Sequence, residues 1–372
     1  MKPVEELFLR RRRERRPHLD FARSLSKSLG DPHAAFPTIH VTGTNGKGSV
    51  CVKIAKVLEN QGCKVGLFTS PHIRSFSERI SINGVEISEI KGRLESLLNL
   101  FSDATFFELM TFVAFDYFRE QNIDIGVIEV GIGGLFDPTN VITPRISVIT
   151  SVALDHQELL GNTLEEIAEQ KAGIIKPQIP LVIGPQADFL AIRKQAVSCH
   201  SKLYKVEPPD GDYDLENQVV AKQALQLLGC TDFKGLETRP PCRFEVLGNV
   251  ILDVAHNPAG FQKLMNAYDL HFPHEPFSAV VGMSRGKDVK KCLHILAQRA
   301  RHLYLVEARS PHSFPVAAME PLLRQEGFNH FTAGLTISES LKKVLSRQER
   351  MIVCGSFYIM EEARDILRVQ VS

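Results

Sequence analysis

A glycine-rich segment with one lysine and one hydroxyl side chain is the clearest sign of chemistry in this sequence. Residues 40–49 read HVTGTNGKGS. A mostly apolar or strand-forming run precedes them, and the amphipathic helical pattern of Val50, Ile54, Val57 and Leu58 follows. Backbone N–H groups in such a turn, together with the positive end of a helix dipole, attract phosphate oxygens. We therefore predict a phosphate site, with Lys47 at the outer phosphates and the Ser49 hydroxyl on magnesium. The alternative is a glycine-rich turn that binds nothing.

Acidic and imidazole side chains stand at the ends of two other apolar runs. Glu129 closes the run Val127-Ile128-Glu129, and His156 follows Asp155 after the apolar residues 146–152. Ligands of open parallel sheets bind beyond the carboxyl ends of the strands. A glutamate in an apolar strand is costly unless it is paired or bound to a metal, and magnesium prefers oxygen ligands. A structural salt bridge for Glu129 and an ordinary loop histidine for His156 are the alternatives.

Lys171 lies in a predicted helix that begins at the capping box Thr163-Leu164-Glu165-Glu166 and ends near Gly173. Its spacing from Leu164 and Ile167 puts the lysine on the apolar face of that helix. Burial favours the neutral amine, and a neutral amine can react with carbon dioxide to form a carbamate. A lysine that reaches solvent from the helix end is the alternative.

Polar residues also follow two apolar runs in the last third of the chain. Residues 250–254 deliver Asp253, then His256 and Asn257, with Pro258 suited to open a helix. Ser356 follows the run 351–354. The glycine-bearing loop 282–288 also follows an apolar run, but we assign it no function from the sequence.

Together, these segments resemble the folylpolyglutamate synthase and dihydrofolate synthase family of the Mur ligase superfamily. The form GTNGKGS, with a glycine between Lys47 and Ser49, is typical of that family. Its other motifs occur in the family's order between residues 40 and 357: TSPH (69–72), ERI (78–80), EVG (129–131), LDH (154–156), KAG (171–173), DVAHNP (253–258) and CGSF (354–357). The resemblance implies an ATP-dependent ligase that forms amide bonds.

The resemblance also implies roles for single residues. The catalytic set is Lys47, His156 and Lys171. ATP contacts come from Thr44, Asn45, Gly46, Lys47, Gly48, Ser49, Arg243, Asp253 and Asn257. The resemblance further implies two magnesium ions, held by Ser49, Ser70, Glu129, His156 and a carbamylated Lys171. Thr105 and Phe107 hold the pterin ring, and Arg79, Asp253, His256 and Ser356 hold the incoming L-glutamate.

Three positions depart from the family pattern. Leu135 stands where most members carry arginine, and Val220 stands where asparagine is usual. Cys242 replaces a glycine before Arg243. These departures put one substrate contact and one adenine contact in doubt.

The chain has 372 residues, more than the about 250–300 at which single cores usually divide. Apolar β-rich runs alternate with helical patterns, which indicates an α/β fold with parallel strands buried between helices. The predicted strands are 38–42, 65–70, 125–130, 146–152, 181–184, 250–254, 278–282, 303–307 and 351–354. We predict a P-loop ATP-binding domain with a parallel-rich sheet over residues 1–246. A smaller Rossmann-like, Mur-ligase-like glutamate-ligase domain follows over residues 247–372.

The bulk composition narrows the class of protein. Net charge is +1, and no apolar run approaches the about 20 residues that cross a bilayer. The seven cysteines are scattered, without a C-x-x-C pair, and no secretory signal is visible, so a reducing cytoplasm fits best. The arginine-rich run 10–16 is interpreted as a solvated helix face. We expect a monomer whose partners are pterin or folate and L-glutamate, not nucleic acid or a membrane.

The implied reaction joins glutamate to dihydropteroate or to a tetrahydrofolate through an acyl phosphate. A cell-wall Mur ligase is one alternative, although only about 36 residues precede the loop, too few for its UDP-sugar domain. A P-loop ATPase or nucleotide-binding protein that forms no amide is the other.

Overall fold

The computed structural model describes residues 18–308, 310–346 and 349–371, so the predicted arginine-rich helix face at 10–16 lies outside the described residues. The chain forms two compact units. The first consists of Met1–Ala153, Gln157–Asp210 and Asp214–Arg239, and the second of Leu154–His156, Gly211–Tyr213 and Pro240–Ser372. Within the described ranges, no helix is both long and apolar enough to cross a membrane.

The first unit is built on an eight-stranded sheet in the order β4-β3-β2-β5-β1-β6-β7-β8. Its strands are β1 (Thr38–Thr42), β2 (Val65–Phe68), β3 (Ile80–Ile82), β4 (Val85–Glu86), β5 (Ile125–Glu129), β6 (Ile146–Ile149), β7 (Leu181–Ile183) and β8 (Leu203–Lys205). Six strands run parallel, while β3 and β4 extend one edge as an antiparallel pair. The short β3, β4 and β8 are strands that the apolar-run analysis did not predict.

Helices cover this sheet. They are Asp20–Ser28, Lys47–Asn60, Ile90–Leu100, Phe106–Glu120, Gln157–Leu160, Leu164–Ala172, Leu190–Ser198 and Tyr213–Leu227. One core, built around Ile39, Val41 and Ile54, packs β1 against the helix Lys47–Asn60. Another is rich in phenylalanine and contains Phe68, Phe112 and other side chains of the helix Phe106–Glu120. Buried faces of this kind explain why the periodicity of the sequence predicted the α/β architecture correctly.

The second unit has a six-stranded sheet in the order β13-β12-β11-β14-β10-β9. Its strands are β9 (Glu245–Leu247), β10 (Val250–Leu252), β11 (Phe277–Val281), β12 (His302–Leu305), β13 (Phe331–Thr332) and β14 (Arg350–Cys354). Only β9 is antiparallel within the described sheet. The helices are Pro258–His271, Val289–Ala297, Val316–Gln325, Ile337–Leu345 and Met360–Val371.

The position of β9 corrects one detail of the sequence analysis. The predicted first domain, residues 1–246, includes the start of β9, but β9 pairs with β10 in the second sheet. The division between the units falls between Arg239 and Pro240. Hydrophobicity could not locate it, because a short edge strand with one exposed face carries little apolar signal.

Most strands end earlier than their apolar runs. β6 ends at Ile149, although the run continues to Val152, and β2 ends at Phe68. The remaining residues bond to loops instead: Thr69 N–H donates to Arg79 O, and Val152 N–H donates to Gln186 O. The backbone is therefore irregular just beyond the carboxyl ends of the strands, where the predicted site residues lie.

A buried lysine joins three segments of the first unit. Lys53, in the helix Lys47–Asn60, has no exposed surface, and its ammonium lies 2.9 Å from the Asp214 carboxylate. The same ammonium donates to the carbonyls of Leu236 and Thr238 at 2.8 and 3.0 Å. Arg239 contacts the other oxygen of Asp214 at 2.9 Å. These bonds hold the end of the unit against the helix that follows the phosphate loop.

We predict that Lys53→Met lowers the free energy of unfolding by about 3 kcal/mol, because it leaves Asp214 buried with one cation fewer. Urea denaturation measures the loss. Lys56→Met is the control, since Lys56 is on the same helix but its side chain is 45% exposed and pairs with Glu59. Its expected cost is below about 1 kcal/mol. Equal losses in the two variants would contradict a structural role for Lys53.

Candidate functional site

The phosphate loop is fixed to the backbone that follows β6. Thr44 N–H donates to Ser151 O at 2.8 Å, and Asn45 N–H donates to Ser151 Oγ at 3.0 Å. The Thr150 hydroxyl returns a bond of 2.6 Å to Asn45 O. The helix then begins at Lys47, after Gly46 with φ 86°. Its first N–H groups have no acceptor within the helix, which makes this turn suited to phosphate oxygens.

Glycine is required in this loop by close packing. A Cβ on Gly43 would lie 1.9 Å from Thr150 Oγ1, and one on Gly46 would lie 2.4 Å from Asn217 Oδ1. Asn217, in the helix Tyr213–Leu227, is a site residue that the sequence analysis missed. The sequence feature that could have identified Asn217 is its polar side chain one helical turn before Val220. Val220 itself is 1% exposed and packs in the core.

Lys47, Ser49, Ser70 and Glu129 all belong to the first unit. The Lys47 ammonium lies 3.3 Å from Thr44 O, and Ser49 is buried one residue beyond Gly48. Glu129, 2% exposed, accepts a bond of 2.9 Å from Ser70 N–H. A Cβ on Gly48 would lie 3.3 Å from Glu129 Oε2, so the glycine that separates Lys47 from Ser49 leaves room for the carboxylate.

This donor set fits a hard divalent cation. Carboxylate and hydroxyl oxygens, completed by phosphate oxygens and water, are the ligands magnesium prefers. Among the described residues, no group of three or more His, Cys, Asp or Glu side chains could hold a metal by itself.

Lys171 is buried, with 2% exposure, in the helix Leu164–Ala172. The capping box between Thr163 and Glu166 is present as predicted. Ile167 shares the buried face, whereas Leu164 at its start is 39% exposed. The lysine side chain is thus enclosed in the first unit, which is the condition its predicted carbamate requires.

The glycine-rich segment 131–135 packs against the end of that helix. Leu135 N–H donates to Gln170 O at 2.7 Å. A Cβ on Gly134 would lie 2.8 Å from Gln170 O, and a Cβ on Gly173 would lie 2.3 Å from Leu135 Cα. The glycines at both positions allow the two backbones to touch. The Leu135 side chain is 37% exposed.

Asp137 organises the same segment. One carboxylate oxygen accepts from the N–H groups of Gly131 and Ile132 at 3.0 and 3.1 Å. The Asn140 amide donates to Leu135 O and Gly173 O at 3.1 and 3.0 Å. Asp137 and Asn140 therefore hold this loop from both of its ends.

The predicted pterin residues lie at the start of the helix Phe106–Glu120. Thr105 is its N-cap and forms a capping box with Glu108, so its hydroxyl already accepts from Glu108 N–H. Phe107 packs on the glycine loop, because a Cβ on Gly131 would lie 2.6 Å from its ring. Phe107 therefore fits the role of an aromatic platform, and Thr105 has a structural role that the resemblance did not reveal.

Arg79 is 3% exposed and donates to His72 Nδ1 at 2.9 Å. Its guanidinium also lies 5.4 Å from the centre of the Phe106 ring. Burial, and then the charge of Arg79, lower the pKa of His72 to about 3, so this imidazole stays neutral and accepts the bond.

The second unit gathers its polar side chains around Asp155. Lys287 Nζ lies 2.6 Å from one oxygen, and the Asn257 amide donates to the other at 2.9 Å. His256 Nε2 is 3.5 Å from the carboxylate. Burial alone would raise the pKa of Asp155, but the His256 bond and the Lys287 charge hold it well below its usual value. Asp155 is therefore an anion in this cluster.

His156 belongs to the same unit and lies 3.4 Å from Lys287 Nζ through its Nε2 atom. Its backbone has φ 51°. Lys287 is the residue that sequence analysis left without a role. The glycine-bearing loop after β11 was the sequence feature that could have identified Lys287. In the structure, this loop places the Lys287 ammonium beside Asp155 of the LDH motif.

Asp253 makes its bonds within the second unit. It accepts from the Tyr213 hydroxyl, from Phe244 N–H at 2.9 Å and from Ala255 N–H at 2.8 Å. Burial raises the pKa of this carboxyl, although the Tyr213 bond opposes the change. These contacts give Asp253 a structural role beside its predicted contacts with ATP and glutamate.

The other predicted residues of this unit lie near Phe357. The Arg243 guanidinium is 4.9 Å from the ring centre, and the His256 ring is 5.9 Å from it. The Ser356 hydroxyl is 2.9 Å from that of Ser284. Cys242 has φ 55°, a left-handed backbone conformation that glycine adopts more readily than cysteine.

Both parts of the chain match known domain families. The family model described as Mur ligase middle domain matches residues 41–184, and the one described as Mur ligase, glutamate ligase domain matches residues 242–357. The Bacillus subtilis dihydrofolate synthase/folylpolyglutamate synthase is 46% identical, over 95% of this chain and 95% of the relative.

Two solved structures are similar over nearly the whole chain. E. coli FolC in complex with DHPP and ADP has a TM-score of 0.90 at 25% identity, and the match covers 99% of this chain and 97% of that one. The bifunctional folylpolyglutamate synthase/dihydrofolate synthase from Yersinia pestis, complexed with AMPPNP and a Mn ion, has a TM-score of 0.86 at 26% identity. That match also covers 99% of this chain and 97% of the other.

We predict that Gly173→Ala destabilises the protein by about 1–3 kcal/mol, because the new methyl group meets the Leu135 backbone. The thermal unfolding midpoint measures the effect. Gly92→Ala is the control: Gly92 lies in the helix Ile90–Leu100, and a Cβ there would meet no atom within 4 Å. It should raise stability by up to about 1 kcal/mol through helix propensity. A Gly173→Ala protein as stable as the wild type would show that the two backbones can separate without cost.

Proposed function

Because the chain belongs to the folylpolyglutamate synthase/dihydrofolate synthase family of Mur ligases, we propose that it is the ATP-dependent ligase that joins L-glutamate to a pterin substrate. Its products would be dihydrofolate from dihydropteroate, and folates with longer glutamate tails. The observation that carries the proposal is the fixed phosphate loop, with the Glu129 carboxylate beside Gly48.

The ligands of the similar structures support this choice of substrates. The E. coli structure contains DHPP and ADP, and the Yersinia pestis structure contains AMPPNP and a Mn ion. For this chain we propose ATP, a divalent cation and a pterin. Phe107 on the glycine loop is the flat aromatic surface that a pterin ring would contact.

The residues of the first unit suit the first half of the reaction. Lys47 and the N–H groups at the start of the helix Lys47–Asn60 would bind the phosphates of ATP. An oxygen of the substrate carboxylate attacks the γ-phosphorus, the bond to the β-phosphate oxygen breaks, and ADP leaves an acyl phosphate. Magnesium, when bound, would neutralise phosphate charge, with Ser49, Ser70 and Glu129 as its protein ligands.

The second half of the reaction forms the amide. The α-amine of glutamate attacks the acyl carbon, inorganic phosphate leaves and the amine loses its proton. We propose that His256 and Ser356 of the second unit bind the glutamate, while the glutamate contact of Arg79 stays a prediction. The ATP contacts of Arg243, Asp253 and Asn257, and the metal contact of His156, stay predictions.

Purified protein with ATP, magnesium, dihydropteroate and L-glutamate should form dihydrofolate and release one ADP for each amide. Each component is omitted in turn, and ADP and pterin products are measured by chromatography. We expect ADP release to fall to background without the pterin. ADP release that needs neither pterin nor glutamate would favour a non-ligase ATPase, and extension of a UDP-muramyl peptide instead would favour a cell-wall ligase.

We further propose that Lys171 acts as a carbamate that contacts a second magnesium ion. Its side chain is enclosed in the first unit with 2% exposure. Loss of one proton from the ammonium gives the neutral amine. Addition of carbon dioxide then forms an N–C bond and releases a second proton, so that an oxygen anion replaces a cation. An oxygen anion suits magnesium, whereas an ammonium would repel it.

Lys171→Ala should therefore lose at least about 100-fold in rate, the scale of a lost transition-state charge contact. Small carboxylic acids such as acetate should restore part of the rate by supplying the missing oxygen anion. Lys47→Ala is the control, because it should be equally slow but not rescued. A fully active Lys171→Ala enzyme, together with an unmodified lysine by intact-site mass analysis, would end this proposal.

We also propose a cytoplasmic location. All seven cysteines are free thiols, and a reducing compartment keeps thiols in that state.

We expect the protein to be a monomer, and light scattering of the purified protein tests this expectation.

A further inference from the structure

The central strand β1 has a buried polar face that the proposed reaction does not yet explain. Its side chains alternate between the two sides of the sheet. Ile39 and Val41 enter the core beside the helix Lys47–Asn60. His40 and Thr42, on the other side, have no exposed surface, although β1 lies between β5 and β6 in the middle of the sheet. Buried polar groups are costly unless they bond, so their partners indicate what they do.

His40 is the first member of a directed hydrogen-bond chain. The Asp137 carboxylate can only accept, so the Thr139 hydroxyl, 2.5 Å away, donates to it. That hydroxyl therefore accepts from His40, whose Nε2 lies 2.9 Å away and must carry the hydrogen. Burial, and then the charge of Lys176, lower the pKa of His40 to about 3, which agrees with a neutral ring. Its Nδ1 is buried and has no hydrogen-bond partner among the residues that the structure describes.

The chain ends on the backbone of the glycine loop. The second oxygen of Asp137 accepts from Gly131 and Ile132 N–H. The Thr42 hydroxyl donates to the next carbonyl, that of Gly133, at 2.5 Å. His40 and Thr42, on the same face of β1, thus hold residues 131–133 of the loop. His40 acts through Thr139 and Asp137, whereas Thr42 bonds to the loop directly.

These contacts connect the phosphate loop with the glycine loop, both of which belong to the first unit. β1 continues directly into the phosphate loop at Gly43, and the loop that it holds begins two residues after Glu129. Gly131 is also where Phe107 packs. The polar face of β1 therefore fixes the aromatic platform and the phosphate loop to the same rigid strand.

We propose that His40 is a positioning residue that aligns the glycine loop, and with it the pterin platform at Phe107, relative to the phosphate loop. This inference depends on the proposed function, since it assigns the effect to the pterin substrate. Loss of the His40 donor should weaken pterin use and leave ATP binding nearly unchanged, because the bonds of the phosphate loop to Thr150 and Ser151 do not involve His40.

The test compares His40→Leu, Thr139→Val and His40→Gln. The first two remove the donor or the hydroxyl relay, whereas glutamine can place an N–H near the position of Nε2. We expect KM for dihydropteroate to rise about 10–100-fold in His40→Leu and Thr139→Val, the scale of a small misplacement of a substrate. KM for ATP should stay within about twofold, and His40→Gln should recover most of the pterin affinity. Equilibrium titration of dihydropteroate without turnover gives a second readout.

Ser201→Ala is the matched control, because it removes a buried hydroxyl bond, that to Ile179 O, far along the chain from the glycine loop. If His40→Leu does not fold, Thr139→Val carries the test. If the wild type turns over normally and Thr139→Val has an unchanged KM for dihydropteroate, the inference about His40 is overturned while the proposed function stands. Equal rises in both KM values, or the same rise in Ser201→Ala, would also overturn it, since they indicate general destabilisation. A wild-type protein that neither binds nor glutamylates the pterin would refute the proposed function and this inference together.

Discussion

The close contact between the phosphate loop and the backbone after β6 is the constraint on which the first unit depends. Thr44 and Asn45 bond to Ser151 and Thr150, and these bonds exist only because Gly43 has no side chain. β1 must therefore end where it does and lie beside β6. Once β1 is fixed in this way, its two faces place the helix Lys47–Asn60 on one side and the glycine loop on the other. Local chemistry at one turn thus determines where the other elements of the site can lie.

Sequence reasoning predicted the α/β fold correctly because the buried strands are short apolar runs separated by helical patterns. It also located the phosphate loop and the capping box before Lys171, since both depend on neighbouring residues. It did not find Asn217, Lys53 or the partners of Asp155. Their contacts join residues more than 100 positions apart, as Lys287 and Asp155 are, or depend on which face of a helix meets a loop. Spacing along the chain carries no record of such contacts.

Several residues that the family resemblance assigns to ligands also support the fold. Thr105 caps a helix, Asn257 caps another while it holds Asp155, and Asp253 binds the backbone of Phe244 and Ala255. A substitution at such a position changes the protein and its ligand contacts at once. Loss of activity alone therefore cannot assign these residues to catalysis.

The chain leaves the first unit for three residues, Leu154–His156, before it returns, and this short excursion limits how the protein can be divided. Asp155 has its amide, ammonium and imidazole partners in a segment that begins about a hundred residues later. A fragment that stopped at Arg239 would keep this carboxylate and lose every one of those partners. The two family matches are consecutive along the sequence, but an acid encoded in the first has its partners in the second. A recombined gene that replaced the C-terminal part would have to supply new partners for an acid already encoded upstream.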